Sequence, residues 1–439
     1  EVFTHACIVF RYKKGKIKKL FKRRLFHSDV TVMHNKDPVF IMFKHLKAVS
    51  GDPLLALIMA HKQDSNPKKI DLGVGVYKDD NGHTPILNSV KKAEAILLEQ
   101  EDSKSYLGIY GATEFEGIIK NLILGEGNPL IDSGRIRSTQ TPGGTGALKV
   151  SADFISANLK DARLWVSDPT WGNHQSIFDS AGVEVKSYPY YDPATNGLRF
   201  DDMMATLEAE AKAGDVLLLH ACCHNPTGID LQFDHWKVIT DFVNKRGLLP
   251  LVDAAYQGFG DGLDEDLAGL RHMAANVQDM LIANSFSKNF GIYRERCGGL
   301  SVIAASAPEA NAAFSIIGQA IRANYSMPPA HGAAVVYTIM SDPTLKAEWE
   351  LEVTAMRDRI NGLRTKLVTK LAASGVSKDF SFIQDQRGMF SYSGLTLEQV
   401  RKLRSEYAIY IADTGRMSIA GVSDNNIDYL CESIKKVVG

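Results

Sequence analysis

"DMLIANSFSKNFG", residues 279–291, carries an apolar run, Met280-Leu281-Ile282-Ala283, that gives way to small hydroxyl residues and then to Lys288. A lysine there is either the solvated end of an edge strand or an amine held for covalent chemistry. The neighbouring segments share the form. "ARLWVSDP" (162–169), "DVLLLHACCHNPTG" (215–228), "GLLPLVDAAYQGFG" (247–260) and "GGLSVIAAS" (298–306) are each an apolar run ending in polar or small residues. Between them lie helix-like stretches such as "GALKVSADFISANL" (146–159), where Leu148, Ala152, Ile155 and Leu159 share one face. Near-continuous apolar strands spaced by helices predict an α/β fold, with a mostly parallel sheet covered on both faces. Ligands of such sheets bind beyond the carboxyl ends of the strands. The chemically informative residues of this chain sit at those ends.

The 439 residues suffice for two or three domains. Residues 347–374 read as one long helix, with Met356, Ile360, Leu363, Leu367 and Leu371 on one face and Gly375 as its stop. Short strands and a last helix near 424–438 follow. The expected division is a large domain over 84–346 and a smaller α/β domain from 42–83 and 347–439. Residues 1–41 stand apart, with ten Lys/Arg against three acids. They read as a disordered extension or a remnant of cloning or of an upstream start. A targeting segment or membrane-surface helix over 11–26 is the other reading.

Formal net charge is −1, and the body after residue 41 is mildly acidic. Nucleic acid is therefore not expected as a partner. No apolar run approaches the ~18 residues that span a bilayer. The five cysteines include no CxxC pair. This suits free thiols in a reducing, cytoplasmic setting and offers no zinc or other metal site.

Several polar groups have bland readings taken singly. Asp253 ends a strand, where it caps a helix, pairs with an arginine or serves a site, and Tyr256 lies three residues on. Gly143, Gly144 and Thr145 open a helix whose backbone N–H groups suit a phosphate. Asn225 precedes Pro226 in a strand-to-turn segment. Arg296, Arg322 and Arg416 are loop arginines, by default solvated, yet of the type that grips carboxylate or phosphate. Together, a phosphate seat, a strand-end carboxylate and a lysine amine are what pyridoxal 5′-phosphate requires. The carboxylate keeps the pyridine nitrogen protonated, and the amine binds the aldehyde.

Nine motifs then occur in order: "LGVGVYKDDNGHTP", "SYLGIYG", "TPGGTGAL", "DPTWGNH", "CCHNPTG", "DAAYQGF", "SFSKNFG", "IRANYS" and "GRMSIAG". With them the chain, over essentially all of 42–439, resembles the aspartate/aromatic aminotransferase family of fold-type I pyridoxal-phosphate enzymes, and bacterial aspartate aminotransferases in particular. The resemblance implies a seven-stranded, mostly parallel sheet between helices. It implies that Lys288 is the Schiff-base lysine and proton carrier, and that Asp253 is the pyridinium partner. Tyr256 and Asn225 become donors to the phenolic oxygen. Gly143, Gly144, Thr145, Ser285 and Arg296 become the phosphate cup. Trp171 lies against the ring, with His174 behind it. Arg416 clamps the substrate α-carboxylate, with Gly75 a backbone contact near it. The family is homodimeric with shared sites. Tyr106 would reach the neighbouring subunit's phosphate, and Arg322 would cross the interface to a substrate side-chain carboxylate. Met327, Ser418, Cys297 and Ala255 depart from common family choices; the first two lie near the substrate arginines.

The expected reaction is ping-pong transamination between aspartate and 2-oxoglutarate through pyridoxamine phosphate, with an aromatic aminotransferase on the same scaffold as the alternative. A lyase or decarboxylase using the same cofactor is a further rival. A nicotinamide dehydrogenase is opposed by the absence of G-x-G-x-x-G.

Overall fold

The computed structural model describes residues 43, 45–48, 51 and 53–439. The basic extension expected over 1–41 lies outside the described residues. Residues 51–439 form one compact unit.

Its centre is a seven-stranded sheet. The strands are β1 (Ile136–Pro142), β2 (Arg163–Asp168), β3 (Glu184–Pro189), β4 (Val216–His220), β5 (Leu249–Ala254), β6 (Met280–Ser285) and β7 (Cys297–Ile303). Their spatial order is β1-β7-β6-β5-β4-β2-β3. Every neighbouring pair is parallel except those made by β7, which runs antiparallel to β6 and β1. β4 to β7 are almost wholly buried, as strands covered on both faces should be.

Alternation along each strand divides the apolar residues between two layers. Val216, Leu218, Leu251, Leu281, Leu300 and Val302 face one cluster. Leu217, Leu219, Val252, Ile282 and Ile303 face the other. Of the helices that concern the site, α1 is Pro53–Gln63, α2 Gly143–Asn158, α3 Asn173–Ser180, α4 Ala307–Asn324 and α5 Pro343–Ala373. Leu148, Val150 and Ile155 of α2, with Phe314, Ile317 and Ile321 of α4, cover the first face.

α5 starts four residues before the sequence expectation. Asp342 caps it, its carboxylate accepting from the N–H of Thr344 (2.8 Å) and Leu345 (3.1 Å), with Pro343 in the first turn. α2 starts at Gly143, so the two glycines and Thr145 form its first turn, as the sequence reading expects. Outside the main sheet, Ile70–Asp71 pairs in parallel with Ile409–Tyr410, joining the segment ahead of residue 84 to the C-terminal part. Phe390–Tyr392 pairs antiparallel with Arg416–Ser418, which sets Phe390 across from Ser418 and next to Arg416.

Candidate active site

The strand ends converge on a cavity of about 310 Å³. β4 leads into the loop with Asn225, β5 carries Asp253 near its end and leads to Tyr256, and β6 ends at Ser285 and leads to Lys288. β1 runs straight into α2, so Gly144 and Thr145 present a helix N-terminus to the same space. The reversed direction of β7 matters here. Its first residue, not its last, lies at this edge, and that delivers Arg296 to the cavity.

Lys288 Nζ lies 4.5 Å from the centre of the Tyr256 ring. Burial pushes its amine down to about 8; the Asp253 charge opposes this and the Arg296 charge adds to it. An appreciable fraction of the amine is therefore unprotonated near physiological pH, far more than for an ordinary lysine, which favours its use as a nucleophile or base. Burial would by itself raise the Asp253 carboxyl. The hydrogen bond from His174 and the nearby His174, His220 and Lys288 outweigh it and hold the carboxyl below its ordinary value. His174 Nε2 is 3.1 Å from Asp253 Oδ2, and His174 Nδ1 is 2.8 Å from Thr170 Oγ1. Thr170 Oγ1 is in turn 3.3 Å from His220 Nε2. Burial, with the neighbouring His174, pushes His220 down to about 3, so it stays neutral. A fixed, anionic Asp253 thus faces the cavity. Trp171 packs edge-on against His174, with ring centres 5.3 Å apart.

Gly143 adopts φ +70°, and a Cβ there would fall 2.5 Å from Arg296 Nη2. The guanidinium thus lies directly over the start of α2, and its Nη1 donates to Ser287 Oγ (3.3 Å) and the Tyr293 carbonyl (3.0 Å). Helix N–H groups, hydroxyls and this guanidinium form an anion seat. At the other end, Arg416 donates from Nη2 to the Gly73 carbonyl (2.7 Å) and from Nη1 to Asn225 Oδ1 (3.4 Å). Its guanidinium carbon lies 4.2 Å from the centre of the Phe390 ring. A Cβ at Gly75 would fall 2.6 Å from Phe390 Cζ, so only glycine lets that backbone approach.

Gly75, Gly144, Thr145, Trp171, Asn225, Asp253, Tyr256, Ser285, Lys288, Arg296 and Arg416 all line the cavity, and Gly143 lies against Arg296. Tyr106 and Arg322 do not line it. Tyr106 is 95% exposed. Arg322 lies exposed in the last turn of α4, hydrogen-bonded to Ser326 Oγ. Sequence reasoning missed Phe390, Tyr293, Ser287 and Gly73, and also Leu54 and Ile58, by which α1 closes one side. Ser287 had a signal, lying between Ser285 and Lys288. The aromatic residues had none that separates them from core.

The aminotransferase class I and II family model matches residues 67–434. The chain belongs to the class I and II aminotransferases. It is 50% identical over 397 residues to the aspartate aminotransferase of Salmonella typhi, covering 90% of this chain and all of that one. It is 48% identical over 395 residues to an aromatic-amino-acid aminotransferase of Pseudomonas aeruginosa, covering 90% of this chain and 98% of the other. Among solved structures, an aromatic-amino-acid aminotransferase from Burkholderia pseudomallei, covalently bound to pyridoxal phosphate, superposes with TM-score 0.89 at 44% identity, covering 91% of this chain and all of that one. Cytoplasmic aspartate aminotransferase from Saccharomyces cerevisiae superposes with TM-score 0.88 at 33% identity, covering 90% and 98%.

The aminotransferase uses pyridoxal 5′-phosphate, and the cavity suits it on its own terms. A low-pKa amine, an anionic strand-end carboxylate and an anion seat stand in one cavity. The residues that would hold the cofactor are Lys288, Asp253 and the Gly143–Thr145 helix start with Arg296. Among the described residues, no helix is long and apolar enough to cross a membrane.

Proposed function

We propose that the aminotransferase moves the amino group of L-aspartate to 2-oxoglutarate, giving oxaloacetate and L-glutamate, as a cytoplasmic homodimer. The observation that carries this is Lys288, a buried amine of lowered pKa in one cavity with Asp253 and Arg416. Bound pyridoxal phosphate supplies the electron sink and carries the amino group between the two substrates. Lys288 Nζ accepts the substrate Cα proton and passes it on. Asp253, fixed by His174, holds a proton on the ring nitrogen. Arg416 grips the α-carboxylate that every donor and acceptor shares, oriented by Gly73 and Asn225 and backed by Phe390. Tyr256 and Asn225 hydrogen-bond the cofactor's phenolic oxygen.

A second arginine has to meet the side-chain carboxylate of a dicarboxylic donor. Arg322 takes that role from a partner subunit, and Tyr106 reaches the partner's phosphate seat. Their exposure on this chain supports the reading. The described cysteines are all free and buried, which suits a reducing compartment. Transamination of aromatic amino acids is the second reading. The apolar Leu54 and Ile58 at the cavity wall favour it, as does Met327 near Arg322.

A donor panel of aspartate, glutamate, tyrosine, phenylalanine and leucine against 2-oxoglutarate separates the two. Arg322→Leu is expected to lower kcat/KM for aspartate by at least about a hundredfold and to leave phenylalanine within about threefold. Equal loss for both donors refutes the side-chain clamp.

A further inference from the structure

The loop that brings Asn225 into the cavity is held from behind by a carboxylate outside it. Cys223 N–H donates to Asp230 Oδ2 at 2.7 Å, and His224 N–H donates to Asp230 Oδ1 at 2.8 Å. These two successive amides immediately precede Asn225. Cys223 has φ +51°, a left-handed conformation unfavourable for a residue with a Cβ. Consecutive N–H groups around such a residue converge and form a concave seat for an anion. Here the anion belongs to the same chain. Among the described residues, no Lys or Arg forms an ion pair with Asp230. Burial pushes its carboxyl up to about 6 despite the two N–H donors, so its position rests on those amides and not on a counter-ion.

The loop has a second anchorage. The His224 ring stacks on Tyr190 with centres 4.1 Å apart, and its nitrogens lie 2.9 Å from Ser167 Oγ and 2.8 Å from Thr227 Oγ1. That ring keeps the loop folded. The Asp230 clamp instead fixes the peptide planes on either side of Cys223, and with them the direction in which Asn225 leaves the backbone. Asn225 Oδ1 in turn accepts from Arg416.

We infer that Asp230 is a positioning residue for substrate α-carboxylate recognition, acting through the 223–224 amides on Asn225 and hence on Arg416. The inference rests on the aminotransferase reading of the cavity. An α-carboxylate is common to all substrates, so Asp230 affects every donor and acceptor alike. It does not touch the donor's side chain and so does not set specificity.

The test compares wild-type, Asp230→Asn and Asp230→Glu holoenzymes. Asparagine keeps one acceptor oxygen and turns an NH₂ toward the other amide. KM for aspartate, phenylalanine and 2-oxoglutarate is expected to rise together by about tenfold, with kcat within about threefold. The pKa of the lysine-bound chromophore, read by visible absorption against pH, is expected to rise, because a displaced Asn225 no longer hydrogen-bonds the phenolic oxygen. Glutamate keeps both oxygens one methylene further out and is expected to show both displacements in smaller measure. Wild-type KM values and chromophore pKa in Asp230→Asn, even with a lowered melting temperature, overturn the proposal. So does a fall confined to kcat. If Asp230→Asn does not fold, unchanged KM and chromophore pKa in Asp230→Glu overturn it equally. A wild-type protein with no chromophore or no amino transfer refutes the functional reading instead, which keeps the two failures distinct.

Discussion

An ammonium group buried near one carboxylate and one guanidinium carries a cost that the neutral amine does not. Lys288 illustrates it, with its amine pushed from an ordinary 10.5 down to about 8. Between those values the unfolded chain holds a proton that the folded chain has released. Stability therefore rises with pH across that window. Below pH 8 the full penalty is present, about 3 kcal/mol for a shift of this size. In protein stripped of cofactor, Lys288→Met is expected to be more stable than wild type at pH 7, by about that amount. The advantage should shrink as pH climbs from 8 toward 10.5. Urea unfolding midpoints at several pH values measure it, and a difference independent of pH would mean that the amine is not strained by burial. The same substitution should abolish amino transfer. The site thus stores instability in the group that the proposed chemistry uses.

Secondary-structure elements contribute by where they end. α2 begins at Gly143 because a left-handed residue and a missing Cβ let Arg296 lie over its first turn. Gly143→Ala is expected to push that guanidinium aside and to strain the backbone. Together these should raise the dissociation constant for pyridoxal phosphate at least about tenfold. Fluorescence titration of the apoenzyme measures this, and unchanged affinity would remove Arg296 from the anion seat. Elements differ in how openly the sequence declares them. β4, β5 and β6 are apolar runs buried on both faces, so their pattern is plain, and so is the chemistry at their ends. β1 is buried too but reads "IRSTQTP". Several of its polar groups find partners inside the fold: Ser138 Oγ lies 2.7 Å from Ser301 Oγ, and Gln140 Nε2 donates to the Pro329 carbonyl at 2.7 Å. No periodicity announces a strand of that kind. β3 is an edge strand with one buried residue in six, and its apolar signal is correspondingly weak. Phe390 and Tyr293 look like any core aromatic. Phe390 reaches Arg416 only because a short antiparallel pair sets it opposite Ser418, a register absent from local sequence.

At the scale of the whole molecule, the cavity of one chain holds one of the two arginines proposed to bind substrate. Arg416 lies in that cavity, whereas Arg322 and Tyr106 lie exposed outside its lining. A dicarboxylic substrate needs two cationic clamps at a fixed separation. The proposed homodimer resolves this by placing Arg322 of each chain in the site built around Lys288 of the other. That arrangement has a consequence for mixed populations. Take one chain carrying Lys288→Ala and another carrying Arg322→Leu, each nearly inactive toward aspartate alone. In a mixed dimer, one site combines both defects, and the other combines native Lys288 with native Arg322. Random reassociation makes half the dimers mixed, so aspartate turnover should recover to about a quarter of the wild-type value. Unfolding and refolding the two variants together, then assaying against each refolded alone, measures the recovery. If both residues served a site within one chain, every site would keep one defect and no recovery would appear. Phenylalanine turnover supplies the internal control. The Arg322→Leu chain alone should already support it, so mixing should dilute that activity, not restore it.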